Sequence, residues 1–304
     1  MSLSESQQLK RDFDDFNLSE KSLGMGQFGT VYNCIEKNTG KELAIKIIEK
    51  ANENDESYNK FVHDVINKLQ NDKNRAILPL YCYGEQAQTP LGKLTFIIHP
   101  LMKKGTLNDF INETKIQELD PTKKMILIYG TAVGMKYLHK SGIINKNLKP
   151  TNILLDEFYR PLISDFGFSD FISKGDENAF SIRNETPKYL SPEILGDSNE
   201  ITQKVDVYSF GIIIFNILTG QQFIKIKDLF KVSRYVLLKK RPIIPSYIND
   251  TYKKLIEKCW NHSPSERPTF ERIVSFLEEK DYLLPGANVD EFNNYKQYVN
   301  KNEI

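Results

Sequence analysis

Residues 144–152 read Ile-Asn-Lys-Asn-Leu-Lys-Pro-Thr-Asn, and Asp165-Phe166-Gly167 follows 13 residues beyond Asn152. An Asp-Phe-Gly tripeptide alone is usually only a turn. Here the apolar segment 160–164 leads into it, and a β-hairpin between the two stretches would bring Asn152 and Asp165 near one metal ion. This stretch therefore predicts a site built from an amide and a carboxylate.

A glycine-rich run, Leu23-Gly24-Met-Gly26-Gln-Phe-Gly29-Thr-Val31, precedes a strand-like segment. Glycines let backbone N–H groups approach phosphates without hindrance from a Cβ atom. Dinucleotide-binding folds use similar spacing, but those need a helix next, whereas a strand follows here. Lys46 lies 17 residues past Gly29, within an apolar strand. Because lysine rarely sits among core residues without a partner, the pattern favours a phosphate site over a surface lysine.

The composition is that of an ordinary globular protein. The 304 residues are 40% hydrophobic and 27% charged, with a net charge of +1, which gives no reason to expect nucleic acid or an anionic membrane as a partner. Lysines cluster at 225–241, where a solvated helix face is the favoured interpretation. The three cysteines are far apart, and no apolar run reaches the roughly 18 residues that span a bilayer. These features predict a reducing, cytoplasmic setting.

The first third of the chain is rich in strand-like runs, and the pattern becomes helical after about residue 103. We expect an α+β fold with a lead-in at 1–15, one domain at 16–280 divided into 16–102 and 103–280, and a tail at 281–304 that is either a docked helix or disordered. The predicted strands are 16–18, 31–35, 43–48, 77–83 and 94–98, and the predicted helices are 58–69, 106–111, 122–139, 204–218, 226–238, 250–259 and 269–280.

Further motifs occur in a fixed order. They are Thr186-Pro-Lys-Tyr-Leu-Ser-Pro-Glu193, Asp206-Val-Tyr-Ser-Phe-Gly211, Cys259-Trp260 and Arg267-Pro-Thr-Phe270. With the glycine run and the 144–167 stretch, they resemble a protein kinase domain over about residues 16–280. The tyrosine-kinase-like group of serine/threonine kinases is the most similar. The resemblance implies a bilobal fold with a small β-rich lobe and a larger helical lobe.

The resemblance also implies that the chain binds ATP and Mg²⁺. It assigns phosphate contacts to Gly24, Gly26, Gly29 and Lys46, adenine contacts to Val31, Ala44 and Leu154, the gatekeeper position to His99, the hinge N–H to Met102, the γ-phosphate to Lys149 and the metal to Asn152 and Asp165. It pairs Glu193 with Arg267 in an architectural ion pair. Asp64 aligns with the helix partner of Lys46, although other registers of the apolar stripe would place Val62 or Val65 there, and a solvent-facing Asp64 is a further alternative. For His99, a neutral, hydrogen-bonded ring is favoured over a pH sensor.

Asn147 is the main departure from the family pattern. The family has an aspartate here, which accepts the proton of the attacking hydroxyl. An amide has a carbonyl acceptor but takes no proton near neutral pH. General-base contributions are typically worth ~10²–10⁴ in rate. An amide could keep some positioning of the hydroxyl, so residual activity stays open.

Four other positions depart as well. Asn145 replaces a histidine, so its amide needs hydrogen-bond partners. Lys146 replaces an arginine that binds a phosphorylated activation loop, which should blunt a switch at a site such as Ser181. Glu185 replaces a glycine. Asp64, in the helix predicted over 58–69, stands where the family has glutamate.

Three functions compete. The favoured hypothesis is a pseudokinase that binds ATP and Mg²⁺ and acts in signalling through an unidentified protein partner. The second is a slow serine/threonine kinase that transfers the γ-phosphate to protein substrates, with Asn147 as a positioner. The third is a structural domain without nucleotide, which the retained phosphate and metal residues disfavour.

Overall fold

A computed structural model describes residues 9–26, 29–48, 74–89, 92–113, 115–166, 187–196, 200–226 and 228–301. The described residues form two compact units. The first contains those of 9–48 and 78–103, and the second contains 74–77 and those from 104 onward. The helix predicted over 58–69 lies outside the described residues.

The first unit is a five-stranded antiparallel sheet. Its strands are β1 (Phe16–Gly26), β2 (Gly29–Glu36), β3 (Glu42–Ile48), β4 (Cys82–Thr89) and β5 (Gly92–Pro100), in the order β1-β2-β3-β5-β4. The β2–β3 hairpin turns at Asn38-Thr39-Gly40, where Gly40 has a φ of 70°. Glycine adopts this left-handed conformation without steric cost.

Side-chain alternation gives this sheet two different faces. Leu43 and Ile45 of β3 pack into a core with Phe96 and Ile98 of β5. Because neighbouring residues on a strand point to opposite faces, Ala44 lies on the other face. One face therefore supplies the hydrophobic core and the other carries the predicted nucleotide residues.

Residues just before β1 bind the sheet at β4. The N–H of Arg11 donates to the carbonyl of Tyr83 at 2.9 Å, and the N–H of Tyr83 donates to the carbonyl of Leu9 at 3.0 Å. The Arg11 guanidinium also lies 3.2 Å from the carboxylate of Glu36, which is 1% exposed. The described part of the lead-in is thus attached to the first unit.

The prediction of a strand over 77–83 was wrong at its start. Strand β4 begins at Cys82. Ile77 instead forms an isolated bridge with Ile163 in the second unit. Pro79 has no N–H to donate to a ladder, which removes a strand bond between these points.

The second unit is mainly helical. Its elements are α1 (Leu107–Asn112), α2 (Lys115–Glu118), α3 (Pro121–Lys140), β6 (Ile153–Leu155), β7 (Pro161–Ile163), α4 (Pro192–Leu195), α5 (Lys204–Thr219), α6 (Leu229–Leu237), α7 (Asp250–Cys259), α8 (Phe270–Leu277) and α9 (Val289–Asn300). Polar side chains cap many helix starts: Thr106, Asp120, Asn249, Thr269 and Asn288 each accept a backbone N–H of the first turn.

Helix α5 lies at the centre of this unit. Its residues from Val205 to Thr219 are buried, and α3 and α7 pack against it. Gly211 allows the close approach of α7, because a Cβ there would lie 2.8 Å from the Cβ of Cys259. Among the residues described, no helix is both long and apolar enough to cross a membrane.

The tail contains a docked helix, as one of the two sequence alternatives predicted. The N–H of Asn288 donates to the hydroxyl of Thr122 at 2.8 Å, and Phe292 packs edge-on against Tyr129 at 5.5 Å. Tyr295 lies where a side chain at Gly130 would stand, so α9 depends on that glycine of α3.

Candidate functional site

The described part of the glycine-rich run lies at the end of β1 and the start of β2. Gly26 pairs with Gly29 across the two strands, and Gly24 pairs with Val31. Gly29 has a φ of 136°, and a Cβ there would overlap the carbonyl oxygen of Ile47. At Gly24, by contrast, no described atom lies within 4 Å of the Cβ position. Gly29 is thus required by the fold, whereas the space beside Gly24 is open among the described atoms.

Lys46 lies on the sheet face opposite the hydrophobic core. It pairs directly with Val31 of β2, and Ala44 pairs with His99 of β5. Directly opposite residues share a face, so the sheet brings these four predicted nucleotide residues together. Lys46 is only 5% exposed.

His99 donates a hydrogen bond through one ring nitrogen. Its Nδ1 atom lies 2.8 Å from the carbonyl oxygen of Pro79. A carbonyl only accepts hydrogen bonds, so Nδ1 carries the proton. The geometry agrees with a hydrogen-bonded ring at this position. Met102 follows β5 and is half-buried.

Asp206 of α5 binds the backbone of the 144–152 loop. Its carboxylate accepts the N–H of Asn145 at 2.9 Å and the N–H of Lys146 at 2.7 Å. The ring Nε2 of His139 lies 2.8 Å from the same carboxylate. Lys146 has a φ of 58°, a strained conformation for a non-glycine residue. The two backbone bonds fix that conformation, since Asp206 is fully buried.

Three asparagines link the two ends of the loop. The side-chain oxygen of Asn145 accepts the N–H of Asn147 at 3.0 Å. The Nδ2 of Asn152 donates to the carbonyl of Asn147 at 2.9 Å. Asn145 is fully buried, so this bond gives its amide oxygen the partner that burial requires. Both backbone polar groups of Asn147 are thus engaged, and its position is set from both sides.

Asn152 and Asp165 are brought together by the β6–β7 hairpin. Ile153 pairs with Ile163, and the N–H of Ser164 donates to the carbonyl of Asn152 at 2.9 Å. Asp165 comes next, with a φ of 56°. The predicted hairpin is confirmed.

The donor atoms at this hairpin suit a hard cation. Nδ2 of Asn152 donates to the carbonyl of Asn147, and the hydroxyl of Thr151 donates to the Asn152 amide oxygen over a long 3.5 Å, which leaves that oxygen with acceptor capacity. An amide oxygen and a carboxylate are ligands that Mg²⁺ accepts. The residues present therefore fit the implied metal.

Glu193 and Arg267 form a bidentate ion pair. The distances are 2.6 Å and 2.9 Å between the two guanidinium nitrogens and the two carboxylate oxygens. The other guanidinium N–H groups donate to the carbonyls of Lys204, Asn261 and His262. All five donors of a 1% exposed arginine are satisfied, so the pair fastens α4 to the segment before α8.

The remaining predicted residues are placed as follows. Leu154 lies in β6 and forms a bridge with Thr106. Lys149 is half-buried and precedes the 3₁₀ turn Pro150–Asn152. Outside the described residues lie Asp64, Gly167, Ser181, Glu185 and Thr186.

Sequence reasoning identified Asp206 only as the start of a helix motif and missed its contact with the loop. It also missed His139. One signal was present: an aspartate opens the apolar run of α5, and a buried carboxylate requires partners.

Comparison with known proteins gives the family. The protein kinase domain family matches residues 18–276. The chain is 32% identical to the dual specificity protein kinase shkB of Dictyostelium discoideum, over 89% of this chain and 41% of that protein. It is 31% identical to the putative serine/threonine-protein kinase/receptor R831 of Acanthamoeba polyphaga mimivirus, over 88% of this chain and 16% of that protein. It is 32% identical to the dual specificity protein kinase shkC of D. discoideum, over 90% of this chain and 53% of that protein.

This chain is a member of the protein kinase domain family. It spans between 16% and 53% of the length of these three relatives. The α+β fold, with its five-stranded antiparallel sheet and helical second unit, agrees with that membership.

Proposed function

We propose that this protein is a pseudokinase that binds ATP with Mg²⁺ and acts in signalling through a protein partner. The observation that carries the proposal is that the backbone of Asn147 is held in place while its side chain is an amide. Its N–H and carbonyl are both fixed within the loop, by Asn145 and Asn152. The loop is therefore formed, but the side chain at the family's proton-accepting position is an amide.

The nucleotide and metal residues support the binding part of the proposal. Lys46, Asn152 and Asp165 are retained. Lys46 pairs with Val31 in the sheet, and the carbonyl of Asn152 accepts the N–H of Ser164, the residue before Asp165. In this family Mg²⁺ neutralises charge on the β- and γ-phosphates. Lys46 would bind phosphate oxygens, and the amide oxygen of Asn152 and the carboxylate of Asp165 would hold the metal.

A slow serine/threonine kinase is the second candidate. Phosphoryl transfer depends mostly on positioning and electrostatic stabilisation, so loss of the base need not abolish it. The retained Lys149, Asn152 and Asp165 favour this candidate, as do the names of the relatives. Lys149 would contact the γ-phosphate in both candidates, and only the fate of the hydroxyl proton differs.

Thermal melts test nucleotide binding. A ligand at a hundredfold excess over its Kd stabilises the folded state by about 2.7 kcal/mol. Millimolar Mg-ATP should therefore raise Tm by roughly 5–10 °C. Lys46→Met should reduce the shift, whereas Lys21→Met, the same change at an exposed residue of β1, should leave it intact. Asp165→Asn should remove the dependence on Mg²⁺. No shift with any variant, together with no binding by calorimetry, would contradict the proposal.

A further inference from the structure

Helix α6 is apolar on two opposite sides. Val232 and Val236 are fully buried and form its inner side. Phe230, Leu237 and Leu238 follow the spacing i, i+7, i+8 and lie on the outer side, with Leu238 capping the helix. Phe230 is 84% exposed and Leu238 57% exposed. A surface helix normally presents polar residues opposite its core-facing stripe, so large apolar side chains on that outer side are unusual.

Further exposed apolar residues follow the helix in sequence. Ile243 is 91% exposed and Tyr247 is also exposed. Half of the ten large hydrophobic residues that are exposed in the described chain thus fall between positions 230 and 247. Such concentration is more informative than scattered single residues, because exposed apolar patches mark interaction sites. We call Phe230, Arg234, Leu237 and Leu238 the α6 outer face.

This surface is also basic. Residues 225–240 contain six lysines and arginines and one acid, Asp228. Asp228 caps α6 by accepting the N–H of Lys231 at 2.9 Å. Within the described part of the chain, the following exposed basic side chains form no salt bridge: Lys225, Lys231, Arg234, Lys239 and Lys240. The solvated lysine face expected from the sequence therefore also carries large apolar side chains.

Arg241 does not belong to this surface. Its guanidinium donates to the carbonyl of Trp260 at 3.1 Å and 3.0 Å and lies 5.0 Å from the ring of Tyr208. Burial lowers the pKa of Arg241. Arg241 therefore anchors the segment after α6, which fixes the surface on the second unit.

We propose that the α6 outer face docks a protein segment that carries both apolar and acidic side chains. This deepens the proposed function, because it gives the chemistry of the signalling partner. Arg234 lies one turn from Phe230, within the apolar stripe itself. A partner carboxylate can pair with Arg234 while apolar side chains cover Phe230 and Leu238. A bilayer suits the pattern less well, because membrane-surface helices keep basic residues on the side away from the acyl chains.

Selection from a phage-displayed library of random peptides, with the full chain as bait, tests the proposal. Enriched sequences should combine acidic and apolar residues. A synthetic copy of the best peptide should lose at least tenfold in affinity with Phe230→Ala and about threefold to tenfold with Arg234→Gln. Binding should also weaken with added salt. Phe158→Ala and Arg272→Gln, matched changes at exposed sites elsewhere, should change affinity less than twofold.

Several results would overturn the docking proposal. One is a set of selected peptides whose binding is unchanged by Phe230→Ala. Another is Phe230-dependent binding to phosphatidylserine vesicles in place of peptide. A third is a dimer in light scattering that Phe230→Ala dissociates. The Mg-ATP melt of the same variants keeps the two proposals distinguishable, because Phe230→Ala should leave the nucleotide shift unchanged.

Discussion

Replacing Asp206 with asparagine should destabilise the protein strongly. The carboxylate accepts backbone N–H groups at 2.9 Å and 2.7 Å, and His139 approaches it at 2.8 Å. Hydrogen bonds to charged groups contribute about 1.5–3 kcal/mol each. Asparagine keeps one acceptor oxygen and turns an NH₂ group toward a donor, so at least one buried N–H loses its partner. The expected loss is about 3–5 kcal/mol, in the range for breaking a buried charged contact.

Urea unfolding followed by circular dichroism measures this loss. Asp281→Asn is the matched control, because Asp281 is exposed and the same change there should stay within about 0.5 kcal/mol. Asp206→Asn should also loosen the loop, which hydrogen exchange at the amides of Asn145 and Lys146 would report. A loss below about 1 kcal/mol would refute the argument that this carboxylate fixes the loop.

Other contacts give sharp expectations. Glu193→Ala should cost about 3–5 kcal/mol in urea unfolding, because it leaves a buried arginine without its carboxylate; a loss under 1 kcal/mol would contradict this. Hydrogen bonding from Thr39, the largest cause, holds the pKa of Glu36 below its ordinary value. The ionised Glu36 carboxylate therefore stabilises the fold above pH ~4.3, and this stabilisation is lost as the pH falls through the lowered folded-state pKa. Wild type and Glu36→Gln should accordingly converge in Tm as melts are run at more acid pH. Gly29→Ala should cost at least ~2 kcal/mol, whereas Gly24→Ala should cost under ~1 kcal/mol; equal losses would refute the steric argument.

Local sequence patterns predicted the elements that local forces determine. Helix α7 was predicted at 250–259 and is found at Asp250–Cys259. Its start is set by Asn249, whose side chain accepts the N–H of Tyr252. The hairpin that joins Asn152 to Asp165 was also predictable, because two short apolar runs flank a turn. In both cases the deciding contacts are local, since the cap of α7 joins nearby residues and the hairpin pairs two adjacent strands of the chain.

Contacts between distant residues could not be predicted in this way. Asn145 and Asp206 are 61 residues apart, and no sequence pattern shows which backbone groups a buried carboxylate will bind. The prediction that the strand begins at residue 77 was wrong for a similar reason. Apolar residues there satisfy a strand pattern, but Ile77 packs with the second unit. Tertiary packing thus prevailed over the local strand propensity of this segment, and a local sequence pattern does not report such packing.

The central claim is that Asn147 limits the chemistry of an otherwise formed loop. The direct measurement is phosphotransfer from radiolabelled ATP to a generic protein substrate, for wild type and for Asn147→Asp. The substitution exchanges an amide for a carboxylate of nearly equal volume, so the variant should fold. We expect transfer by the wild type to be undetectable or very slow. Asn147→Asp should raise the rate of transfer at least tenfold, a cautious threshold because a general base typically contributes ~10²–10⁴ in rate. Asp64→Glu is added in a second variant, since a short partner for Lys46 could limit the gain. Wild-type turnover near 1 s⁻¹, the low end of the ~1–100 s⁻¹ typical of kinases, would contradict the claim. So would wild-type activity that Asp165→Ala abolishes and Asn147→Asp does not raise.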